Sequence, residues 1–282
     1  MPANSTAPKS FRAGSIISQT KISQRIFAVI AGVLLALLLL ASGFLVCVIP
    51  GLTTALASHV DVPNGHTAFS TTDLANVAEA TRDYSFGGHD KDALIRAIYE
   101  ANVNANAAAA EAGITLTNAP SLDGVDASDT RQIQRALGSA SERFIFSDEA
   151  ILHLDDVYAV ASFAYRLIGG VAVLFVACLF AIRNKRLMGR MLTRSATALL
   201  AVFAAIGIWA VIDFNGMFSV FHQLFFSQGN WSFPYDSLLI CALPTAFWMG
   251  MGAIWLVTTG ITSILSILVG RALLKRDASA TI

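Results

Sequence analysis

Four long apolar runs leave this chain few ways to fold. The first, Ile26 to Ile49, carries no charge and at the helical rise covers roughly 36 Å, against roughly 30 Å of hydrocarbon in a bilayer. The second runs from about Phe163 to Ile182, the third from about Ser195 to Ile212, and the fourth lies between Leu238 and Gly270. Inside lipid every backbone polar group must find a partner within the protein, so runs of this length read as helices. The expectation is an all-α membrane protein with four transmembrane helices. The last run is too long for one straight crossing, and Pro244 removes a backbone donor near its start. A kink is expected there, or a short interfacial entry before the span proper.

The cations set an orientation. Lys9, Arg12, Lys21 and Arg25 precede the first span; Arg183, Lys185, Arg186, Arg190 and Arg194 lie between the second and third; Arg271, Lys275 and Arg276 follow the fourth. By the positive-inside rule these ends are cytoplasmic. The inner side then holds 12 basic and 1 acidic residue (Asp277), and the outer side 7 basic and 18 acidic, so a net charge of zero hides two opposite halves. The boundaries that follow are a cytoplasmic tail 1–25, a span 26–49, an extracytoplasmic helical cap 50–158, and a span 159–183. A cytoplasmic loop 184–194, a span 195–213, an extracytoplasmic aromatic-rich segment 214–240, a span 241–270 and a cytoplasmic tail 271–282 complete the chain. Ala55-Leu56-Ala57 would suit a signal peptidase, but the first apolar run exceeds a secretory core of about 7 to 15 residues and reads as a retained span. Cys47, Cys178 and Cys241 fall in or at apolar runs and read as packing residues.

A hundred-residue connection needs structure of its own. Ser70 to Asp73, STTD, is a helix start ahead of LANVAEA, and that helix is expected to end near Tyr84 at the SFGG break. A second helix begins around Asp90 to Asp92 and stops at Gly113; TLTNAPSLDGVDASD connects it to a third, DTRQIQRALGSA. No strand alternation interrupts this pattern, so the cap is helical. His59, His66 and His89 lie in it without evident partners and read as surface residues.

Two other histidines sit where spans meet the outer surface. In FSDEAILHLDDVYAV, Ser147 suits an N-cap and the apolar pattern never breaks before Gly169, so one helix should carry His153 into the second span. Helical spacing puts Asp156 three residues on, where its carboxylate could orient the imidazole and raise its basicity. Arg166 lies two to three turns beyond Asp156 and is either functional or a residue that snorkels to headgroups. After the third span, Asp213 precedes FNGMFSVFHQLFF, in which Phe214, Phe218, Phe221 and Phe225 form a helical apolar face. Phe218, His222 and Phe226 form the adjacent row, followed by Trp231 and Phe233. An interfacial aromatic belt would look similar, but a belt does not require a titrating group between phenylalanines.

HLDDV at the head of the second span, together with FxxFHQLFFxxGNWxF after the third, resembles the DUF1461 integral membrane proteins, the family of the lipoprotein intramolecular transacylase. The outer segment here is longer than in compact members. The resemblance implies catalytic His153 and His222, supported by Asp156, Arg166 and Asp213, in a substrate pocket walled by Phe218, Phe221, Phe225 and Trp231. It implies an acyltransferase of the bacterial cytoplasmic membrane that moves the sn-2 acyl chain of a diacylglyceryl-lipoprotein to the α-amino group of its N-terminal cysteine. The implied partners are membrane lipid and diacylglyceryl-modified lipoproteins, with no cofactor and no metal.

The residues leave two other classes open. One is a metal-dependent hydrolase using His153, His222 and Asp156 or Asp213, although no HExxH spacing supports it. The other is a non-enzymatic scaffold or sensor with an acidic outer cap. Nucleic-acid binding is not expected, because no basic patch exists outside the loops whose cations topology already explains.

Overall fold

The structure, a computed structural model, describes residues 9–60 and 67–279, with side chains over 22–60 and 67–276. His66 and the side chains of Lys9, Arg12, Lys21 and Asp277 lie outside the described residues. Ten helices are present among them: α1 (Lys9–Cys47), α2 (Leu52–Ala57), α3 (Thr71–Phe86), α4 (Lys91–Glu111), α5 (Thr130–Leu137), α6 (Asp148–Ala181), α7 (Lys185–Ile212), α8 (Phe214–Phe225), α9 (Leu238–Ala242) and α10 (Thr245–Ser279). Four stretches are long and apolar enough to cross a membrane: Ile22–Cys47, Asp148–Ala181, Lys185–Ile212 and Thr245–Arg276. Their large side chains are widely exposed, with Phe180 at 83% and Val211 at 88%, which suits lipid and not water. At 34 residues α6 extends roughly 51 Å, well beyond the hydrocarbon thickness. Its acidic first turns therefore stand clear, and its apolar remainder makes the crossing. Pro244 falls between α9 and α10, so the chain breaks at the proline and a short helix precedes the last span.

The chain divides into two compact units. The first comprises residues 1–42, 167–205 and 258–282. Its core joins Ala28, Ala31, Leu35 and Leu39 of α1 to Cys178, Ile182, Met191 and Ala196. Small residues let its helices approach closely, as is usual where lipid leaves packing as the main attraction. A Cβ on Gly189 would meet the Gly270 carbonyl oxygen at 2.7 Å, and Ser42 and Thr262 share a hydroxyl contact of 3.0 Å. Gly189→Ala is expected to overpack this crossing, costing about 1–3 kcal/mol and lowering the Tm of the detergent-purified protein.

The second unit comprises residues 43–166 and 206–257. Leu74, Val77 and Ala78 of α3 and Leu94, Ile95 and Ile98 of α4 build its core with Ile133, Leu137, Leu154 and Leu238. The STTD start is a full capping box, in which Ser70 accepts from Asp73 N–H and the Asp73 carboxylate accepts from Ser70 N–H. Asp90 and Asp129 cap α4 and α5. Gly113, at φ +68°, follows α4 where a left-handed residue was expected. Helix α3 runs two residues past Tyr84, and α5 stops at Leu137, short of the whole DTRQIQRALGSA string. No periodicity announced α2, whose six residues are capped from outside. The Glu79 carboxylate accepts from the backbone N–H of Gly51 and Thr54 and from the Thr54 hydroxyl. Burial alone would raise the pKa of Glu79, but these bonds and Arg82 hold it below its ordinary value.

Asn102 is fully buried and donates its amide hydrogens to the carbonyls of Ile98 and Phe144, fixing the chain that returns to α6. His89 is not the partnerless surface residue that the sequence suggested. Its ring is stacked between Tyr84 and Tyr158, with centroids at 4.2 and 3.9 Å, and its Nε2 lies 3.5 Å from Asp155. Tyr84 donates its hydroxyl to the same carboxylate at 2.5 Å, so this group ties α3 to α6. His59 does remain exposed, its ring bonded to the Ala55 carbonyl of the preceding helix.

Candidate functional site

Both histidines lie in the second unit, on separate helices that local sequence fixes. Helix α6 begins on Ser147, whose hydroxyl accepts from Ala150 N–H, and the acidic residues Asp148 and Glu149 suit the positive end of the helix. His153 follows one and a half turns later. Helix α8 begins on Asp213, whose carboxylate accepts from Gly216 N–H at 2.8 Å. A Cβ on Gly216 would collide with that carboxylate, so the Asp-Phe-Asn-Gly string builds a cap that no larger residue at 216 permits. Asp213 thus supports the site by starting the helix that carries His222.

The fold brings the two imidazoles to 6.2 Å between ring centroids, although they stand 69 residues apart in sequence. They are 8% and 9% exposed. Aromatic rings enclose them: Phe218 lies tilted at 3.9 Å from His222, Trp231 at 5.2 Å and Phe221 at 5.6 Å, while Phe226 meets His153 edge-on at 4.8 Å and Phe233 lies at 5.8 Å. Of the expected wall, Phe218, Phe221 and Trp231 border His222. Phe225 is set back against Phe221 and Phe226 and borders neither histidine. Phe226 and Phe233 take its place beside His153. Phe226 was visible in the row of His222, whereas Phe233 lies in a loop where no helical period could flag it.

Hydrogen bonding distinguishes the two rings. His222 Nδ1 lies 2.9 Å from the Phe218 carbonyl, and a carbonyl can only accept. Nδ1 therefore carries the hydrogen, and in the neutral ring Nε2 keeps its lone pair. Burial lowers the pKa of His222, with the Phe218 bond opposing it, so the neutral form is favoured at neutral pH. His153 Nδ1 is buried without a hydrogen-bond partner.

Asp156 does not orient His153 by a hydrogen bond, as its spacing suggested it could. Its Oδ2 accepts from Gln228 Nε2 and Asn230 Nδ2, both at 2.8 Å, and not from His153. Long-range bonds to the 227–236 loop outcompete the neighbour three residues away on the same helix. The carboxylate ties that loop, with its left-handed Gly229 at φ +83°, to α6. The Arg143–Asp236 pair at 3.5 Å and the bond from Leu238 N–H to the Glu142 carbonyl hold its far end. Arg166 is exposed and lies 13 residues along α6 from His153, roughly 20 Å at the helical rise, so it is not brought to the pair.

Residues 125–248 match the family model described as lipoprotein intramolecular transacylase Lit. Over that stretch the chain is similar to the Lit family. A solved structure of the membrane integral Lit from Bacillus cereus shares the fold with a TM-score of 0.57 and 16% identity, covering 92% of this chain and 99% of that one. An uncharacterized protein of Aquifex aeolicus (strain VF5) is 26% identical over 103 residues, 36% of this chain. The match spans about half of that relative's length, 46%. Both histidines, the aromatic rings around them and the 227–236 loop all fall within the stretch that this model matches.

Proposed function

We propose that this chain is a membrane-embedded acyltransferase that moves the sn-2 acyl chain of a diacylglyceryl-modified lipoprotein onto the α-amino group of its N-terminal cysteine. The observation that carries this reading is the buried pair His153 and His222, enclosed by aromatic rings, with a lone pair on His222 Nε2. The attacking amine must lose a proton and the departing glyceryl oxygen must gain one. Imidazole can serve both needs at neutral pH. A nitrogen–carbon bond forms at the acyl carbon, its bond to the sn-2 oxygen breaks, and the proton passes from nitrogen to that oxygen. No co-reactant is consumed, and the product is a lyso-lipoprotein. In this reading His222 Nε2 takes the proton from the amine and passes it to His153, which delivers it to the glyceryl oxygen.

Attack passes through a tetrahedral carbon with a negative oxygen, which needs a donor already in place. Trp231 Nε1–H is buried beside the ring of His222 and has no acceptor among the described residues. It is suited to that oxygen. Trp231→Phe keeps the ring and removes the donor, and is expected to lower kcat roughly a hundredfold with little change in KM. Steady-state transfer assays on a diacylglyceryl lipopeptide check this. The rings that surround the pair align acyl chains and exclude water that would hydrolyse the ester. Closure of the ring between amine and ester is slow in solution, and confinement supplies the proximity.

The metal-dependent alternative is not carried forward, because among the described residues no three His, Cys, Asp or Glu side chains converge as a ligand set would. The cation distribution supports a bacterial cytoplasmic membrane topology with both termini inside and the 50–158 segment outside. Mass spectrometry of N-terminal peptides from co-expressed lipoproteins tests the whole reading. Expected is an amide-linked acyl chain on the cysteine nitrogen and one remaining glyceryl ester. Peptides that keep a free amine and two ester-linked chains would overturn it.

A further inference from the structure

We infer that Asn230 is a catalytic residue whose side-chain oxygen holds the attacking amine, and that Asp156 is the positioning residue that aims it. This rests on the acyl-transfer reading above and assigns the polar contacts of the amine within it. The argument begins with which way the amide faces. Asp156 Oδ2 can only accept, and it lies 2.8 Å from the amide nitrogen of Asn230, so the NH2 end faces the carboxylate and Oδ1 faces away. Gln228 donates to the same oxygen at 2.8 Å, but its side chain is exposed, whereas Asn230 is half-buried.

Asn230 Oδ1 is buried and no donor among the described residues reaches it. A buried acceptor without a donor is costly, and proteins retain few of them outside functional sites. Its sequence neighbour Trp231 has the opposite vacancy, a buried Nε1–H with no acceptor. Two consecutive residues thus offer one acceptor and one donor, the donor on a ring that lies beside a histidine with a free lone pair. A primary amine bears N–H groups and an ester bears a carbonyl oxygen. The chemistry of the pair matches the two reacting groups, with Asn230 taking the amine and Trp231 the acyl oxygen. The turn at Gly229 and the clasp by Asp156 hold both in register.

The test uses unreactive dialkylglyceryl (diether) lipopeptides as competitive inhibitors of the full-length protein, one with the α-amine and one with that amine replaced by hydrogen. Wild type is expected to bind the amine form about tenfold more tightly, as fits one hydrogen bond to a buried acceptor. Asn230→Ala should bind both forms alike, with the affinity for the desamino form unchanged. Asp156→Asn lets the Asn230 amide turn over, and is expected to reduce the preference at least threefold. A preference that persists in Asn230→Ala but vanishes in Asp156→Asn would overturn the assignment by placing the amine on the carboxylate itself. Persistence in both variants overturns it equally. If Asn230→Ala binds neither form, a trimethylammonium diether lipopeptide decides on the wild type. That head carries charge but no N–H, and it should bind no better than the desamino form; affinity equal to that of the amine would sink the proposal. Wild type that transfers no acyl chain from a diester lipopeptide sinks the enzymatic reading instead, so the two failures are distinct.

Discussion

His222→Asn is expected to reduce acyl transfer on the order of 10³- to 10⁴-fold while leaving membrane insertion intact. Asparagine can still donate to the Phe218 carbonyl from nearly the place of Nδ1, so the local bond that orients the side chain survives. What disappears is the lone pair of Nε2, the only part of this side chain able to take the amine proton. A general base at this level is worth about 10²- to 10⁴-fold, and the upper part of that range applies because no carboxylate hydrogen-bonds to either imidazole as a substitute. The pH profile gives an independent check. Burial favours the neutral ring, so protonation of His222 requires a more acidic medium than for a free histidine. The working form is the neutral one, so the limb that belongs to the enzyme should fall below the ordinary histidine value of about 6.5, apart from the limb that the substrate's own α-amine sets at about 8. An asparagine variant with a tenth or more of wild-type turnover would remove His222 from the base role.

The helices were legible because their causes are local. Apolar length announced the four spans, STTD announced the start of α3, and Pro244 the break before α10. His153 and His222 could be placed at span ends by the same logic. Their approach to 6.2 Å could not, because it depends on how α6 and α8 meet, and no spacing within either helix encodes that. Asp156 shows why spacing can mislead. Three residues along a helix places it beside His153, but a carboxylate goes where donors are strongest, and two amides from a loop more than seventy residues away claim it. Asn230, Phe233 and the stacked His89 were missed for one reason: each lies outside regular helix, where period gives no signal and only tertiary contact assigns a role.

His153→Phe is the sharper test of the pair, because the replacement suits the surroundings. Phe226 and Phe233 already pack on the His153 ring, and its Nδ1 has no hydrogen-bond partner to lose. A phenyl ring buries more apolar surface and leaves no orphaned nitrogen, so folding should be preserved or slightly improved. Any loss of activity must then come from chemistry. Transfer is expected to fall on the order of 10³-fold with the Tm of the purified protein unchanged or higher. The scaffold or sensor alternative predicts the reverse, full function with a phenyl ring at 153. Combining His153→Phe with His222→Asn should cost no more than a few-fold beyond the worse single change. Two groups that act on one proton path fail as a unit, so removing the second takes away little that the first had not already lost. Multiplicative losses in the double variant would instead mean that the two histidines serve separate steps. In that case the proton taken from the amine does not reach the glyceryl oxygen through this pair.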